Sequence, residues 1–156
     1  MSVQTLRDPD ARDRQLVQDA KRASTYAYAP YSGFAVGAAV RTRSGRIFRG
    51  ANLENAAYGA STCAEIAALA NANTAGDFDV EAIAIVGYSL DSARDGRLVV
   101  TPCGRCRQVI YEAAAVSSVD VRVLSANGSL DQISVSTIFG LLPAGFGPAN
   151  LRHSER

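Results

Sequence analysis

The sequence predicts an α/β fold, a three-layer α/β/α sandwich around a mixed five-stranded sheet. Helix-like and strand-like segments alternate along most of the chain, and strands joined through helices favour right-handed crossovers with helices on the faces of the sheet. One half of the sheet is therefore expected to be largely parallel, and an early hairpin supplies the antiparallel part. With 156 residues, of which 47% are hydrophobic, the chain is long enough to bury a core of its own.

The first half of the chain begins with an amphipathic helix over about residues 10–28. Apolar residues recur there every three or four positions, which places them on one face; they are Leu16, Val17, Ala20, Ala23, Ala27 and Tyr28. The segment APYSG at 29–33 ends this helix, because proline and glycine break helices. Strands at 34–40 and 46–51, joined by a polar turn, then form the hairpin.

The second half continues the alternation. Ser61 and Thr62 are good capping residues for a helix over 63–74, which Gly76 ends. The remaining predicted elements are, in order, a buried strand at 80–86, a charged loop at 89–97, a helix at 103–114, a strand at 119–124, a turn at 126–129, an edge strand at 130–135 and a short helix near 136–142. We expect residues 1–156 to form a single domain, with the charged residues 152–156 as a frayed tail.

Composition and charge argue against several functional classes. The chain has 16 basic and 15 acidic residues, a net charge of +1, whereas a dedicated nucleic-acid-binding domain usually carries a basic excess on one face. Arginines 41, 43, 46 and 49 form a candidate basic patch, but hairpin surfaces often carry such residues. No apolar run approaches the roughly 18 residues of a membrane span, and the polar amino-terminal segment lacks the apolar core of a signal peptide. We therefore expect a cytoplasmic protein without nucleic-acid or membrane partners.

The three cysteines, Cys63, Cys103 and Cys106, indicate metal or redox chemistry. An odd count fits poorly with a closed disulfide framework. Each cysteine lies at the predicted amino-terminal end of a helix, where exposed N–H groups and the helix dipole favour thiolate over thiol. Three thiolates fill three corners of the zinc tetrahedron and leave the fourth open, which is typical of a catalytic site. Two alternatives remain, a thiol-redox pair at the CxxC motif and a closed structural site completed by His153.

Glu65 follows Cys63 by two residues, so its carboxylate would project beside the metal without binding it. A carboxylate there can take a proton from water and return it to a substrate. The same residue also has a structural interpretation, since Thr62 and Glu65 have the spacing of a capping box that only closes a helix end.

The order of these motifs resembles that of zinc nucleoside deaminases, specifically the small three-cysteine class of cytidine deaminases. The resemblance extends from about residue 27 to residue 151. Its motifs are YSGFAVGAA at 31–39, GANLENAAYG at 50–59, TCAE at 62–65, PCGRCRQ at 102–108 and LLPAGFGP at 141–148.

The resemblance implies a role for each matching residue. Cys63, Cys103 and Cys106 would bind one Zn²⁺ per chain, and Glu65 would be the catalytic proton shuttle. The implied substrate-binding residues are Phe34, Asn52, Glu54, Ala64 and Phe146. Asn52 and Glu54 would bind the ribose hydroxyls, Phe34 would flank the pyrimidine, and Phe146 would complete the site of a neighbouring subunit in a homotetramer.

One position departs from the family pattern. Ile66 stands where the family commonly has arginine directly after the catalytic glutamate. Zinc with three thiolates carries a net charge of −1, and a nearby cation would offset it. Arg105, inside the CxxC motif, is our hypothesis for that cation.

The implied reaction is hydrolytic deamination of cytidine or 2′-deoxycytidine, with release of ammonia, as in pyrimidine salvage. Two alternatives stay open. One is a deaminase of a specialised aminopyrimidine nucleoside such as blasticidin S, and the other is a non-catalytic module that zinc only stabilises.

Overall fold

The fold is a three-layer α/β/α sandwich, as predicted, in a computed structural model that describes residues 8–91 and 97–151. The elements are α1 (Ala11–Ser24), β1 (Phe34–Thr42), β2 (Ile47–Ala51), a short 3₁₀ helix (Tyr58–Ala60), α2 (Ala64–Thr74), β3 (Val80–Ser89), α3 (Gly104–Ser117), β4 (Arg122–Asn127), β5 (Ile133–Thr137), α4 (Ile138–Leu141) and α5 (Pro148–Leu151). The predicted tail at 152–156, His153 and the middle of the charged loop lie outside the described residues. No helix in the described ranges has the length and apolar character needed to cross a membrane.

The five strands form one mixed sheet in the order β2-β1-β3-β4-β5. Only β3 and β4 pair in parallel, and the other three pairs are antiparallel. The expectation of a largely parallel half was therefore wrong. Since β2 runs opposite to β1, the crossover through α2 returns β3 in the direction of β2 but on the far side of β1. β3 therefore pairs with β1 as an antiparallel neighbour, and only its other neighbour, β4, runs parallel to it.

Two apolar cores lie on opposite faces of this sheet. On one face, α1 packs through Leu16, Val17 and Ala20 against β1, β3 and β4. On the other face, α2, α3 and α4 cover a larger core that includes Ile83, Ile85 and Ile110. The cysteines and Glu65 described below lie where α2 and α3 begin, on the second face.

The first helix ends earlier than its apolar periodicity predicted, at Ser24 rather than near residue 28. Tyr28 instead pairs with the loop after β2, because its N–H donates to the Asn52 carbonyl and its own carbonyl accepts from Glu54. Tyr28 is consequently 53% exposed. The end of α1 also lies directly on β1, since a Cβ on Gly37 would be 2.1 Å from the Ala20 carbonyl oxygen.

The carboxyl-terminal elements begin later than predicted. Ser118 adopts a left-handed conformation (φ 54°) and ends α3, so Val119 still donates to the Ala114 carbonyl and β4 starts only at Arg122. The β4–β5 turn similarly extends past Leu130, whose φ is +63°, and moves the edge strand to Ile133–Thr137. The short helix α5 was not predicted.

A buried ion cluster joins α1 to the sheet. The Asp13 side chain is 2% exposed and accepts hydrogen bonds from Arg41 of β1 at 3.3 Å and from Arg122 of β4 at 2.9 Å. Arg41 also pairs with Glu81 of β3. One carboxylate thus connects the start of α1 to two strands of the sheet.

Candidate active site and metal centre

The three cysteines come together where α2 and α3 begin. Cys63 is the N-cap of α2, Cys103 is the N-cap of α3, and Cys106 lies in the first turn of α3. Their sulfur atoms all lie within 4.8 Å of one another. A zinc ion with Zn–S bonds of about 2.3 Å places its sulfur ligands about 3.8 Å apart. Soft thiolate donors in this arrangement fit zinc.

The thiols differ in how readily they ionise. Burial raises the pKa of Cys63 and of Cys106, and the negative charge of Glu65 raises both further. Burial also opposes ionisation of Cys103, but hydrogen bonds from the Cys106 and Arg105 backbone N–H groups outweigh it and lower the pKa of Cys103. A cation is therefore needed to hold all three as thiolates, as in metal sites where binding releases protons.

Glu65 is the second residue of α2 and is 5% exposed. The predicted Thr62 cap is wrong, because Cys63 is the N-cap and no side chain caps this helix end. With the cap one residue later, Glu65 does not occupy the capping-box position. Burial raises the pKa of its carboxyl, and hydrogen bonds with its own N–H and with Cys106 only partly oppose this shift. The hydrogen bond with Cys106 places the Glu65 carboxyl beside the cysteine cluster.

A cavity of about 370 Å³ opens beside these groups. It brings together residues from the hairpin, the loop after β2 and both helix starts. The lining residues are Ser32, Phe34, Val36, Asn52, Glu54, Ser61, Thr62, Cys63, Ala64, Glu65, Val100, Thr101 and Cys103. Its volume lies in the range typical of small-molecule sites. Of the predicted site residues, Phe34, Asn52, Glu54, Ala64 and Glu65 all line this cavity.

Asn52 supports the backbone at the start of β1 as well as the cavity. Its Oδ1 accepts from the Val36 N–H at 2.8 Å, and its Nδ2 donates to the Phe34 carbonyl at 3.0 Å. An amide side chain has two donor hydrogens and two acceptor lone pairs. After both bonds, one hydrogen and one lone pair remain for a ligand.

Glu54 is held as a carboxylate by the chain that leads into β1. Its Oε2 accepts from the backbone N–H groups of Tyr31 at 2.9 Å and Ser32 at 3.2 Å. A hydrogen bond with the Ser32 side chain and the Tyr31 N–H lower the pKa of Glu54. Ser32 lies within the YSGFAVGAA motif at 31–39, but the sequence alone assigned it no role of its own.

Phe34 is positioned by two residues that sequence reasoning missed. A Cβ on Gly87 would lie 2.9 Å from Phe34 Cε1 and 2.9 Å from Val100 Cγ2. The bare backbone of β3 thus lets the Phe34 ring and Val100 lie side by side at the cavity wall. The signal in the sequence is a glycine next to the apolar run VEAIAIV, since glycine inside a strand often marks a close approach.

Three predicted site residues lie outside the cavity lining: the metal ligand Cys106, Arg105 and Phe146. Arg105 donates from Nη1 to the Ser61 carbonyl at 3.3 Å, so its guanidinium joins α3 to the loop that precedes Cys63. Phe146 is 58% exposed and follows α4, and only its main-chain carbonyl has a described contact, with Gln108 Nε2 at 2.6 Å.

A larger cavity of about 620 Å³ lies elsewhere, between the end of α1, β2 and α2. Its two arginines, Arg22 and Arg49, both pair with the buried carboxylate of Asp19. The smaller cavity is the candidate active site, since it adjoins the metal ligands and the buried Glu65.

Comparison with known proteins gives one family throughout. A family model described as the cytidine and deoxycytidylate deaminase zinc-binding region matches residues 10–121. The cytidine deaminase of Halalkalibacterium halodurans is 44% identical over 137 residues, covering 86% of this chain and 94% of that protein. The cytidine deaminase of Sporosarcina psychrophila is 36% identical over 140 residues, with coverage of 90% and 95%.

Solved structures that are similar to this chain are also those of cytidine deaminases. The crystal structure of a cytidine deaminase from Burkholderia pseudomallei has a TM-score of 0.73 and 39% sequence identity with this chain. The match covers 85% of this chain and 97% of that one. A cytidine deaminase from Mycobacterium tuberculosis gives a TM-score of 0.69 at 34% identity, with coverage of 88% and 99%. The similarity thus extends over nearly the whole of each relative.

Proposed function

The chain belongs to the cytidine deaminase family, and we propose that it hydrolyses the 4-amino group of cytidine and 2′-deoxycytidine, giving uridine or 2′-deoxyuridine and ammonia. It is a zinc hydrolase whose metal is bound by Cys63, Cys103 and Cys106. One observation supports the proposal above the others. A single cavity is lined by the metal ligands Cys63 and Cys103 and by the buried Glu65, together with Asn52 and Glu54.

Glu65 carries the proton in this proposal. Zinc, when bound, would act as a Lewis acid that lowers the pKa of a water molecule, so that the hydroxide left after deprotonation can attack C4 of the pyrimidine. The Glu65 carboxylate accepts one proton of that water and delivers it to N3, where it remains in the product. Glu65 then accepts the proton of the new C4 hydroxyl and delivers it to the departing amino group. A carboxyl group suits this exchange when burial raises its pKa towards the working pH. One water is consumed and one ammonia is released, so atoms and charge balance.

Asn52 and Glu54 recognise the sugar. The free hydrogen and lone pair of the Asn52 amide and the ionised Glu54 carboxylate can together bind a sugar hydroxyl as acceptor and donor. Free cytosine would leave these groups unpaired, at a cost that favours the nucleoside. Phe34 supplies an apolar surface for the pyrimidine, and Ala64 lines the cavity between the ring and the metal ligands.

The proposal also covers the oligomeric state, the metabolic role and the cellular location. We infer a homotetramer in which Phe146 completes the site of a second copy, supported by the exposure of its ring away from the cavity of its own chain. Pyrimidine salvage and a cytoplasmic location stay predictions from the sequence.

The decisive experiment measures ammonia release by the zinc-loaded protein from cytidine, 2′-deoxycytidine, CMP, cytosine and blasticidin S. We expect turnover of the two plain nucleosides only. Turnover of blasticidin S alone would keep the chemistry and overturn the substrate. Absence of turnover on all five substrates, with zinc bound, would overturn the enzymatic proposal and favour a zinc-stabilised module.

A further inference from the structure

The segment that carries Phe146 has a fixed backbone and an exposed side chain. It leaves α4 through a turn in which Gly145 N–H donates to the Leu142 carbonyl at 3.2 Å. It ends where Asn150 Oδ1 accepts from the Gly147 N–H at 2.8 Å. Between these anchors the Phe146 ring is 58% exposed. Below, residues 143–147 are called the C-terminal arm.

The arm lies directly on the ring of Tyr111, in the second half of α3. A Cβ on Gly145 would be 2.6 Å from Tyr111 Cδ2 and Cε2, and a Cβ on Gly147 would be 2.8 Å from Tyr111 Cε1. Neither glycine has a positive φ, so the contact, not the backbone conformation, requires them. Tyr111 is held in turn by the Phe139 ring, with centroids 5.3 Å apart.

Gln108 fixes the arm at Phe146 itself. Its Nε2 donates to the Phe146 carbonyl at 2.6 Å, so the residue between the two glycines is bound by its main chain while its side chain points to solvent. Gln108 lies two residues after Cys106 on the same helix. The helix that supplies two metal ligands in its first turns therefore also anchors the arm.

We propose that Gln108 is a positioning residue that holds the C-terminal arm so that Phe146 is presented, preordered, to the active site of a second copy of this chain. The inference rests on the proposed function, in which that site binds a nucleoside. An aromatic ring on a fixed backbone has already lost much of its conformational freedom, so it binds a partner at lower entropic cost than a mobile tail. Large exposed aromatic side chains of this kind are typical anchors of interfaces.

The kinetic test uses two substitutions at Gln108. In Gln108→Glu the side chain keeps its size but a carboxylate replaces the donor and repels the Phe146 carbonyl. We expect KM for cytidine to rise about tenfold with kcat within about twofold. Gln108→Lys restores a donor with sufficient reach and should recover most of the affinity. Gln18→Glu, on the exposed face of α1, is the matched control for the charge change.

Coupling between Gln108 and Phe146 makes the test specific. In a double-mutant cycle, Gln108→Glu should add little to the effect of Phe146→Ala, because both remove the same presented ring. Fully additive effects would overturn the proposal. So would a Gln108→Glu variant with unchanged KM, or one that loses zinc and kcat together.

A second readout does not depend on turnover. The chain contains no tryptophan, so Phe146→Trp introduces a single tryptophan, whose emission can be excited selectively over that of the tyrosines. We expect blue-shifted emission in the assembled protein, a red shift on dilution to single chains, and a red shift with lower anisotropy when Gln108→Glu is added. Emission that is independent of Gln108 and of assembly overturns the inference. If wild-type protein instead fails to turn over cytidine while these shifts occur, the proposed function fails and the positioning role stands.

Discussion

Cys63 and Cys103 occupy equivalent positions, each the N-cap of a helix that starts at the same cavity. Their sulfurs therefore lie where the two helices direct unpaired N–H groups and partial positive charge. The backbone donors of Arg105 and Cys106 that lower the pKa of Cys103 are an instance of this arrangement. The same geometry brings Glu65, the second residue of α2, to the edge of the metal centre.

Glu65→Gln tests the proton shuttle. The amide keeps the shape of the side chain but cannot accept and return a proton, so we expect kcat to fall by at least about a hundredfold. Zinc content should stay at one per chain, because Glu65 is not among the three clustered sulfur ligands. Unfolding midpoints should not fall, since burial already disfavours the ionised carboxylate at this position.

Measurements of ammonia release and of zinc by atomic absorption on the same samples check this prediction. Retention of more than about a tenth of the wild-type kcat would contradict the assigned role. Loss of zinc together with activity would instead make Glu65 a structural part of the metal centre.

Substitutions of Arg105 test the charge-compensation hypothesis, which arose because Ile66 stands where the family commonly has arginine. If Arg105 offsets the negative charge of zinc with three thiolates, Arg105→Gln should weaken zinc binding by about tenfold, and Arg105→Lys should retain most of it. If only the hydrogen bond to the Ser61 carbonyl matters, the glutamine variant should be closer to wild type. Competition with a chromophoric chelator measures the affinity, and unchanged binding in both variants would eliminate the hypothesis.

The three metal ligands and the position of Glu65 beside them were predictable, because these residues lie in short segments of the sequence. Two short motifs, TCAE and PCGRCRQ, contain all four residues. The resemblance to a known family then indicated that the two motifs belong to one site. The helix caps were predicted less well. Ser and Thr are the usual caps, but the residue in extended conformation before α2 is Cys63, with φ −73° and ψ 152°. Metal ligation, not capping preference, accounts for the residue at that position.

Relationships across the sheet were not predictable from periodicity. The alternation of apolar residues identified β1 and β3 as strands but carried no information that they pair antiparallel. The same limitation hid Gly87, which follows the strand predicted at 80–86 and in fact lies inside β3 opposite Val36. Its contact with Phe34 depends on a register that only the folded sheet defines.

Glu54 gives a pH prediction with a definite sign. Its pKa lies below the usual carboxyl value of about 4.3, because a hydrogen bond with the Ser32 side chain and the Tyr31 N–H favour the carboxylate. Any stabilisation from these bonds is present above the usual value and is lost as the pH falls through the lowered one. We therefore expect the Glu54 contribution to KM to be constant from about pH 8 to pH 5.

The check is the pH dependence of kcat/KM for cytidine in wild type and Glu54→Gln. The glutamine variant should bind more weakly by a constant factor across this range. A ratio between the two proteins that changes markedly above pH 5 would show that Glu54 titrates there, contrary to the prediction.

Gly87→Ala tests how Phe34 is positioned. The added methyl group would lie 2.9 Å from Phe34 Cε1 and from Val100 Cγ2, so one of the two side chains must move into the cavity. We expect kcat/KM to fall by about tenfold or more, since small misplacements in an active site have large effects, while zinc stays bound. Gly140→Ala is the matched control, because its Cβ would be at an ordinary 3.4 Å from Thr137 Oγ1. Equal kinetics in the two variants would contradict the contact.

Asp13→Asn tests the buried ion cluster between α1 and the sheet. The asparagine keeps an acceptor for the N-terminal cap of α1 but removes the charge that faces Arg41 and Arg122. Removing one partner of a buried ion pair leaves an uncompensated charge, so we expect the free energy of unfolding to fall by about 3 kcal/mol. Asp79→Asn is the control, because its pair with Arg43 is about half exposed on both sides and should change stability by less than about 0.5 kcal/mol.

Urea unfolding at one fixed protein concentration measures both variants, since an assembled protein gains apparent stability with concentration. The Asp13 variant should keep its KM for cytidine and its zinc content, because Asp13 lies on the face of the sheet opposite to α2 and α3. A stability loss no larger than that of Asp79→Asn would mean that Arg41 and Glu81 neutralise each other without Asp13. In that case the attachment of α1 would depend on the apolar contacts of Leu16, Val17 and Ala20 with the sheet.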